Sequence, residues 1–433
     1  MMEAVTYNKL ISDKRRRMGN LSLFLGVFIL TTLYFHFFSW YSLTAPYGTL
    51  IAAVFLIISL FCYVDIKYML KDPAFYLMAF GDLIALIHLF AIGSNKGAIL
   101  TIFDFLLILY LANKVCFNEK ETLISAGYTA FFFLYWTVDV KGYFKGYNTN
   151  YGGLVLITGF CFLIFLLEYI FSKMKKGKAY IALRLIEVFL FALAFNIISW
   201  YRSRCALVGL ITFSFIYLLP KKLWRNKIIY GMLCLLGTLG SVVFSAFYVW
   251  LGRMKEVFSL RIFYKDIISG REEIWAELWE EYLKKPFTGI GSSYVMKLEW
   301  MEGLFEVHSG LLDILIVHGL VVFLIVLCFI LKRLFSLRET VSRDVAAKTA
   351  MAGIFGMLFT AFMENYIIVA PFSLMFLMLF AYVNHRGALL EEGTMEEKEF
   401  KEEKALEEGA KEKPLGEKEP LEEKAKDSSE EKV

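Results

Sequence analysis

Apolar stretches of roughly 17 to 23 residues, the length that crosses a hydrocarbon core of about 30 Å as a helix, recur almost from one end of this chain to the other. Candidate spans run over Leu21–Trp40, Pro46–Val64, Phe75–Ile92, Ala98–Cys116, Thr122–Val138, Gly153–Phe171, Ala179–Trp200, Cys205–Leu219, Ile228–Trp250, Gly310–Leu331, Thr349–Asn365 and Ile367–Asn384. Of the 433 residues 58% are hydrophobic and only 20% are charged, more apolar surface than a soluble domain of this length has use for. The expected fold class is all-α: a polytopic membrane helix bundle of about twelve transmembrane helices.

Short loops set the expected orientation, because Lys and Arg near the ends of spans stay on the cytoplasmic face. With the N-terminus inside, residues 1–20, which carry Lys14, Arg15, Arg16 and Arg17, form a basic cytosolic segment. It resembles the start of a signal peptide, but no small-residue cleavage site follows and further spans do, so the first span reads as retained. Lys67 and Lys71, Lys173 to Lys178, Lys221 to Lys227, and Lys332 to Lys348 then fall on one face. Spans one to nine occupy residues 21–250, a long external segment covers 251–309, and spans ten to twelve occupy 310–384, which returns the C-terminus to the cytoplasm. Residues 385–433 become rich in Lys and Glu and nearly free of aromatics; such sequence buries too little apolar surface to offset its ordering entropy and reads as a disordered charged tail. Six cysteines, all in or at the ends of spans, show neither a disulfide framework nor metal-ligand spacing. The formal net charge of +4 sums basic loops and a mixed-charge tail and points to no nucleic acid.

The external face holds charge where a purely structural membrane protein avoids it. Trp200-Tyr201-Arg202-Ser203-Arg204 forms a tight turn between the seventh and eighth spans, on the side where positive charge is disfavoured. Guanidinium groups grip phosphate oxygens bidentately and stay charged, so Arg202 and Arg204 suit a phosphate or pyrophosphate ligand. The alternative is that they snorkel to lipid headgroups from the helix ends. In the long external segment, Ser269-Gly270-Arg271-Glu272 has capping-box spacing. Ile274, Trp275, Leu278, Trp279, Tyr282 and Leu283 then share one face until Pro286 stops the helix. This spacing predicts an amphipathic helix that lies on the membrane plane or caps the bundle, its aromatic stripe serving packing rather than sugar binding. Arg271 sits in the first turn, where the helix dipole disfavours a cation unless an anion is near. Phe287-Thr288-Gly289-Ile290-Gly291-Ser292-Ser293 is a glycine-containing turn able to offer backbone N–H groups to an anion, without the Gly-Lys-Ser/Thr of a P-loop. His308 opens the tenth span, where a neutral imidazole can accept a proton from an attacking hydroxyl or serve simply as a cap.

In their order these motifs resemble the O-antigen ligase and polymerase superfamily: Ser203-Arg204 before a small residue and an apolar run, Gly270-Arg271 with Trp275 one turn on, Pro286 to Gly289-Ile290-Gly291, and His308 opening a span. Tyr147-Asn148-Thr149-Asn150-Tyr151-Gly152 looks like that family's Asn-x-Asn signature. The resemblance covers roughly residues 20–385; Cys205 stands where the family usually has Gly, and Ser309 follows the His where Asn is common. It implies a GT-C-like glycosyltransferase in the bacterial cytoplasmic (inner) membrane. Such an enzyme takes a glycan from undecaprenyl pyrophosphate on the outer face and passes it to an acceptor hydroxyl, with no metal and no cofactor. Its functional residues correspond here to Arg204, Arg271 and His308. Arg202 is a second candidate in the arginine turn, Glu306 or Glu302 an alternative base, and Asn148 and Asn150 candidates for sugar hydroxyls or for a turn before a helix.

The implied partners are the undecaprenyl-pyrophosphate-linked glycan, an acceptor glycan or lipid, membrane lipids and a regulator of chain length. The small external loops and mixed-charge tail favour a polymerase of capsule, O-antigen or exopolysaccharide repeat units; the alternative is a ligase that transfers glycan to lipid A core. A transporter or flippase of lipid-linked sugars is the competing class. Asp82, His88, Asp104 and Glu187 are its candidate residues, but no matching half-repeat is visible.

Overall fold

The computed structural model describes residues 12–36, 41–143, 149–175, 177–254, 261–262, 265–266, 268, 270–301 and 306–411. Residues 1–388 form one compact unit and 389–433 a second. The long helices are α1 (Asp13–His36), α2 (Tyr41–Tyr63), α3 (Pro73–Ala91), α4 (Lys96–Leu111), α5 (Glu119–Tyr143), α6 (Thr149–Phe171), α7 (Lys178–Tyr201) and α8 (Arg204–Leu218). They continue with α9 (Lys227–Gly252), α10 (Arg271–Lys284), α11 (Gly310–Ser336), α12 (Val345–Thr360) and α13 (Phe372–Lys411). The described strand structure is a two-residue antiparallel ladder, Arg261–Ile262 on Lys265–Asp266.

Six of the described helices are long and apolar enough to cross a bilayer: Pro73–Ala91, Asn150–Phe171, Lys178–Tyr201, Lys227–Gly252, Gly310–Arg343 and Phe372–Gly393. Three further apolar helices, Tyr47–Tyr63, Arg204–Leu218 and Val345–Thr360, are shorter. The chain is an all-α, multi-pass membrane protein. Four of its helices begin where short polar side chains satisfy the first orphan N–H groups. Asp72 accepts from Ala74 N at 3.0 Å ahead of Pro73, Asn95 from Ala98 N at 2.8 Å, Asn226 from Ile228 N at 2.9 Å and Asp344 from Ala347 N at 2.7 Å. Where lipid replaces water, an unpaired backbone group has no fallback partner.

The centre of the bundle is α6, α8 and α12, which pack on one another. Small residues let these backbones approach: a Cβ on Gly209 of α8 would collide with Thr360 Oγ1 of α12. The basic segments meet at one end, where Lys221 Nζ donates to Arg343 O at 3.2 Å and Arg338 Nη1 to Arg225 O at 2.8 Å.

α11 is broken at Gly319, whose φ of 82° and ψ of 175° only glycine adopts readily. The break frees carbonyls, and the chain after α10 fills it: Ile290 N donates to Ile316 O at 2.9 Å, Gly291 N to Val317 O at 3.1 Å, and Leu320 N to Pro286 O at 2.9 Å. The glycine turn at 287–293 therefore spends these two N–H groups on α11 and does not hold them ready for an anion, as its sequence suggested. Two boundaries also differ from expectation. α12 ends at Thr360 and α13 starts at Phe372, so the last two spans are separated by a connection, 361–371, with a 3-10 turn at Tyr366–Ile368, in place of a single residue. Polar Glu364-Asn365 and Pro371, which lacks an N–H and restricts the residue before it, explain the break. α13 also stays helical to Lys411, past the point where a structureless tail was expected to begin. The composition there is rich in Glu, Lys, Ala and Leu, residues of high helix propensity. Residues 412–433 lie outside the described residues.

Candidate active site

Four separate stretches converge at one end of the main unit: the α7–α8 turn, the first turn of α10, residues 306–309 before α11, and the 361–371 connection. In the α7–α8 turn, Arg202 takes the left-handed conformation (φ 55°) and its N–H closes the last turn of α7 onto Ser199 O. Arg202 is exposed, whereas Ser203 is buried and Arg204, the first residue of α8, is half-buried. Arg204 Nη1 donates to Asp266 O at 2.5 Å, and Arg204 stands within electrostatic reach of Arg271.

Arg271 opens α10 directly after Gly270, whose φ is 94°. Half of the predicted capping box is present, since the Glu272 carboxylate accepts from Gly270 N at 2.8 Å; Ser269 lies outside the described residues. The Arg271 side chain is 10% exposed, and its Nη2 donates to Glu364 Oε1 at 2.6 Å. Its Nε finds no hydrogen-bond partner among the described residues. The anion that the helix dipole demanded beside Arg271 is thus a side chain of the protein itself.

Glu364 is the hub of the cluster. Its Oε1 also accepts from Asn150 Nδ2 at 3.1 Å, and its Oε2 lies 3.6 Å from His308 Nδ1. The same His308 nitrogen is 3.2 Å from Glu306 Oε1, without the alignment of a hydrogen bond to either carboxylate. His308 has φ 54°, a left-handed backbone unusual outside glycine, and the surroundings hold it there. Trp275 Nε1 donates to Val307 O at 2.7 Å, and Ser309 Oγ and Gly310 N both donate to Ala361 O, at 3.2 and 2.9 Å. His308 is therefore clamped between α10 on one side and the 361–371 connection on the other.

The amphipathic helix is built as its sequence predicted, with one exception. Ile274, Trp275, Leu278 and Tyr282 are buried, whereas Leu283 is 69% exposed and falls off the packing face. Trp275 stands edge-on to Tyr248 and Phe244 of α9, with ring centroids 5.1 and 6.0 Å away, so the aromatic stripe caps the bundle by packing. Beyond α10, Glu277 accepts from Tyr294 OH at 2.7 Å and from Lys297 N at 2.8 Å. Burial and the Glu277 carboxylate push the Tyr294 hydroxyl above its ordinary pKa and keep it a donor.

The cluster brings together Arg204, Arg271, His308, Glu306 and Asn150 from positions far apart in the sequence. Arg202, on the outer side of its turn, is exposed, and Asn148 and Glu302 lie outside the described residues. Glu364 was not among the residues singled out from the sequence; its signal was an acid followed by Asn at the end of an apolar run. Ligand-type atoms of Glu306, His308 and Glu364 lie within 4.8 Å of one another, a spacing that fits a metal ion. Arg271 already neutralises one of those carboxylates, which favours acid–base use of the set.

Residues 189–327 match the family model described as O-antigen ligase, a stretch that contains Arg202, Arg204, Arg271, Glu306 and His308 but neither Asn150 nor Glu364. No curated protein and no solved structure matches the chain. The motif order noted in the sequence and this match over residues 189–327 both support the resemblance to the superfamily of O-antigen ligases and polymerases.

Proposed function

We propose that this protein is a glycosyltransferase of the outer face of the bacterial cytoplasmic membrane, with both termini inside, that polymerises surface polysaccharide from repeat units carried on undecaprenyl pyrophosphate. The observation that carries this reading is the Arg271–Glu364–His308–Glu306 cluster beside Arg204. It supplies fixed cations and a proton acceptor at one end of the bundle. When the bond from the anomeric carbon to the pyrophosphate oxygen breaks, its electron pair leaves on the pyrophosphate. Arg204 and Arg271 stabilise that charge more in the transition state than in the ground state. The acceptor oxygen attacks the opposite face and inverts the anomeric centre. Its proton passes to His308 Nε2, the ring nitrogen other than the Nδ1 that faces the two carboxylates. Glu364 positions Arg271 and His308 together, Glu306 is the alternative base, and Asn150 is drawn into the site through Glu364. No step requires a metal.

The description of the matching family favours a second reading, a ligase that transfers finished glycan to lipid A core or another acceptor. Deleting the protein in its host separates the two. Loss of a polymerase leaves single repeat units on the carrier or the cell surface, whereas loss of a ligase strands long glycans on the carrier. Loss of surface glycan with complete lipid-linked units trapped on the inner leaflet would contradict both and return a transporter to the front.

A further inference from the structure

Beside the candidate active site, between α4, α11 and the 361–371 connection, lies a cavity of about 120 Å³. Asp313 and His318 of α11, Thr101 and Phe105 of α4, and Asn365 and Ile368 of the connection are among its lining residues. It is amphiphilic, with four polar side chains converging on one space while an aromatic ring and aliphatic side chains form the rest of the wall. His318 is only 3% exposed, and its Nδ1 has no hydrogen-bond partner among the described residues. A buried polar atom left unpaired is costly, so this wall is completed by something that brings hydroxyl or amide groups. At about 30 Å³ for each water-sized group, the space takes about four such groups, enough for the hydroxyl-bearing side of one sugar ring.

We propose that this cavity binds one pyranose ring of the acceptor glycan and thereby presents the attacking hydroxyl to the His308–Glu306 pair. Position supports the assignment as well as chemistry. Asn365 directly follows Glu364, Asp313 lies one turn into the helix that Ser309 opens, and Asp313 is within electrostatic reach of Glu306. A ring held here has its apolar face toward Phe105. Its hydroxyls donate to Asp313 and Thr101 and accept from Asn365, a division of labour that suits a carbohydrate better than lipid or phosphate. With Arg204 and Arg271 in the neighbouring cluster to hold the pyrophosphate, the acceptor sugar occupies this side. The inference rests on the glycosyltransferase reading for its role in the reaction, but the binding it asserts stands independently.

The test is saturation-transfer NMR on the full chain in lipid nanodiscs, with methyl glycosides of glucose, galactose, rhamnose and N-acetylglucosamine as probes. At least one glycoside is expected to receive saturation. Asp313→Ala and Asn365→Ala should each weaken that signal tenfold or more while helical content and elution position stay unchanged, and Thr101→Val serves if either fails to fold. Leu283→Ala, at an exposed position of α10 outside the cluster, should leave it intact. No saturation with any of the four, or equal saturation in wild type and cavity variants, overturns the proposal. Sugar binding by a protein that then makes no glycosidic bond would sink the glycosyltransferase reading alone, and bond formation without cavity binding would sink this inference alone.

Discussion

At the scale of single residues, Arg271 and Glu364 are mutually dependent. Both side chains are 10% exposed, so neither charge is well solvated without the other. Removing one partner of such a pair costs about 3–5 kcal/mol, because it leaves a buried charge uncompensated. Arg271→Ala and Glu364→Ala should each lower the melting temperature in detergent, and the double variant should melt well above the sum of the two losses; strictly additive losses would show that the pair does not act as a unit. For activity, Arg271→Ala is expected to cut glycan transfer by about 10²- to 10³-fold, the range for losing one preorganised charge donor. Arg271→Lys should not restore it, since an ammonium lacks the fork that grips two oxygens. Near-normal chains in either variant, measured with protein levels matched in the membrane, would remove Arg271 from the mechanism. Arg204, Arg271 and His308 were legible in the sequence because each breaks a local rule: a cation in an external turn, a cation at a helix N-terminus, an imidazole at a span boundary. Glu364 was not, because the residue that explains it is 93 positions away and an acid at a helix end looks like an ordinary solvated terminus.

At the scale of elements, α10 was readable from its own period, with Ile274, Trp275, Leu278 and Tyr282 returning on one face and Pro286 ending it. The turn that follows was not readable in the same way, because its hydrogen-bond partners are set by a break in another helix, α11. That break makes a sharp prediction. A Cβ at Gly319 would lie 2.6 Å from the carbonyl carbon of Phe287, in a backbone conformation that side chains rarely adopt. Gly319→Ala should therefore destabilise the protein by at least about 2 kcal/mol, the order of one strained residue with a clash added. It should also lower transfer by releasing the Pro286–Gly291 segment from α11. Thermal unfolding in detergent checks the first part, and a melting curve equal to wild type would show that the break tolerates a side chain.

At the scale of the whole molecule, class came from composition and run length alone, because a chain with this many bilayer-length apolar stretches has few other solvents to fold in. Finer organisation escaped the sequence where polar residues interrupt an apolar run without ending its hydropathy. The stretch from Thr349 to Asn384 reads as two spans split at one residue, whereas the chain leaves helix at 361–371 to carry Glu364 into the cluster and Asn365 to the neighbouring cavity. The helical course of α13 to Lys411 escaped for the opposite reason: composition that predicts poor burial also has high helix propensity. As proposed, the cluster at the end of this bundle joins lipid-linked repeat units without a metal. The most direct measurement is incubation of the purified protein in nanodiscs with an undecaprenyl-pyrophosphate-linked repeat unit as the only glycan, in excess EDTA, with products separated by size. The account predicts a ladder of chain lengths, unchanged by the chelator and absent with Arg271→Ala; a ladder that disappears with EDTA and returns with added divalent ion, or no product until a lipid A core is supplied, would contradict it.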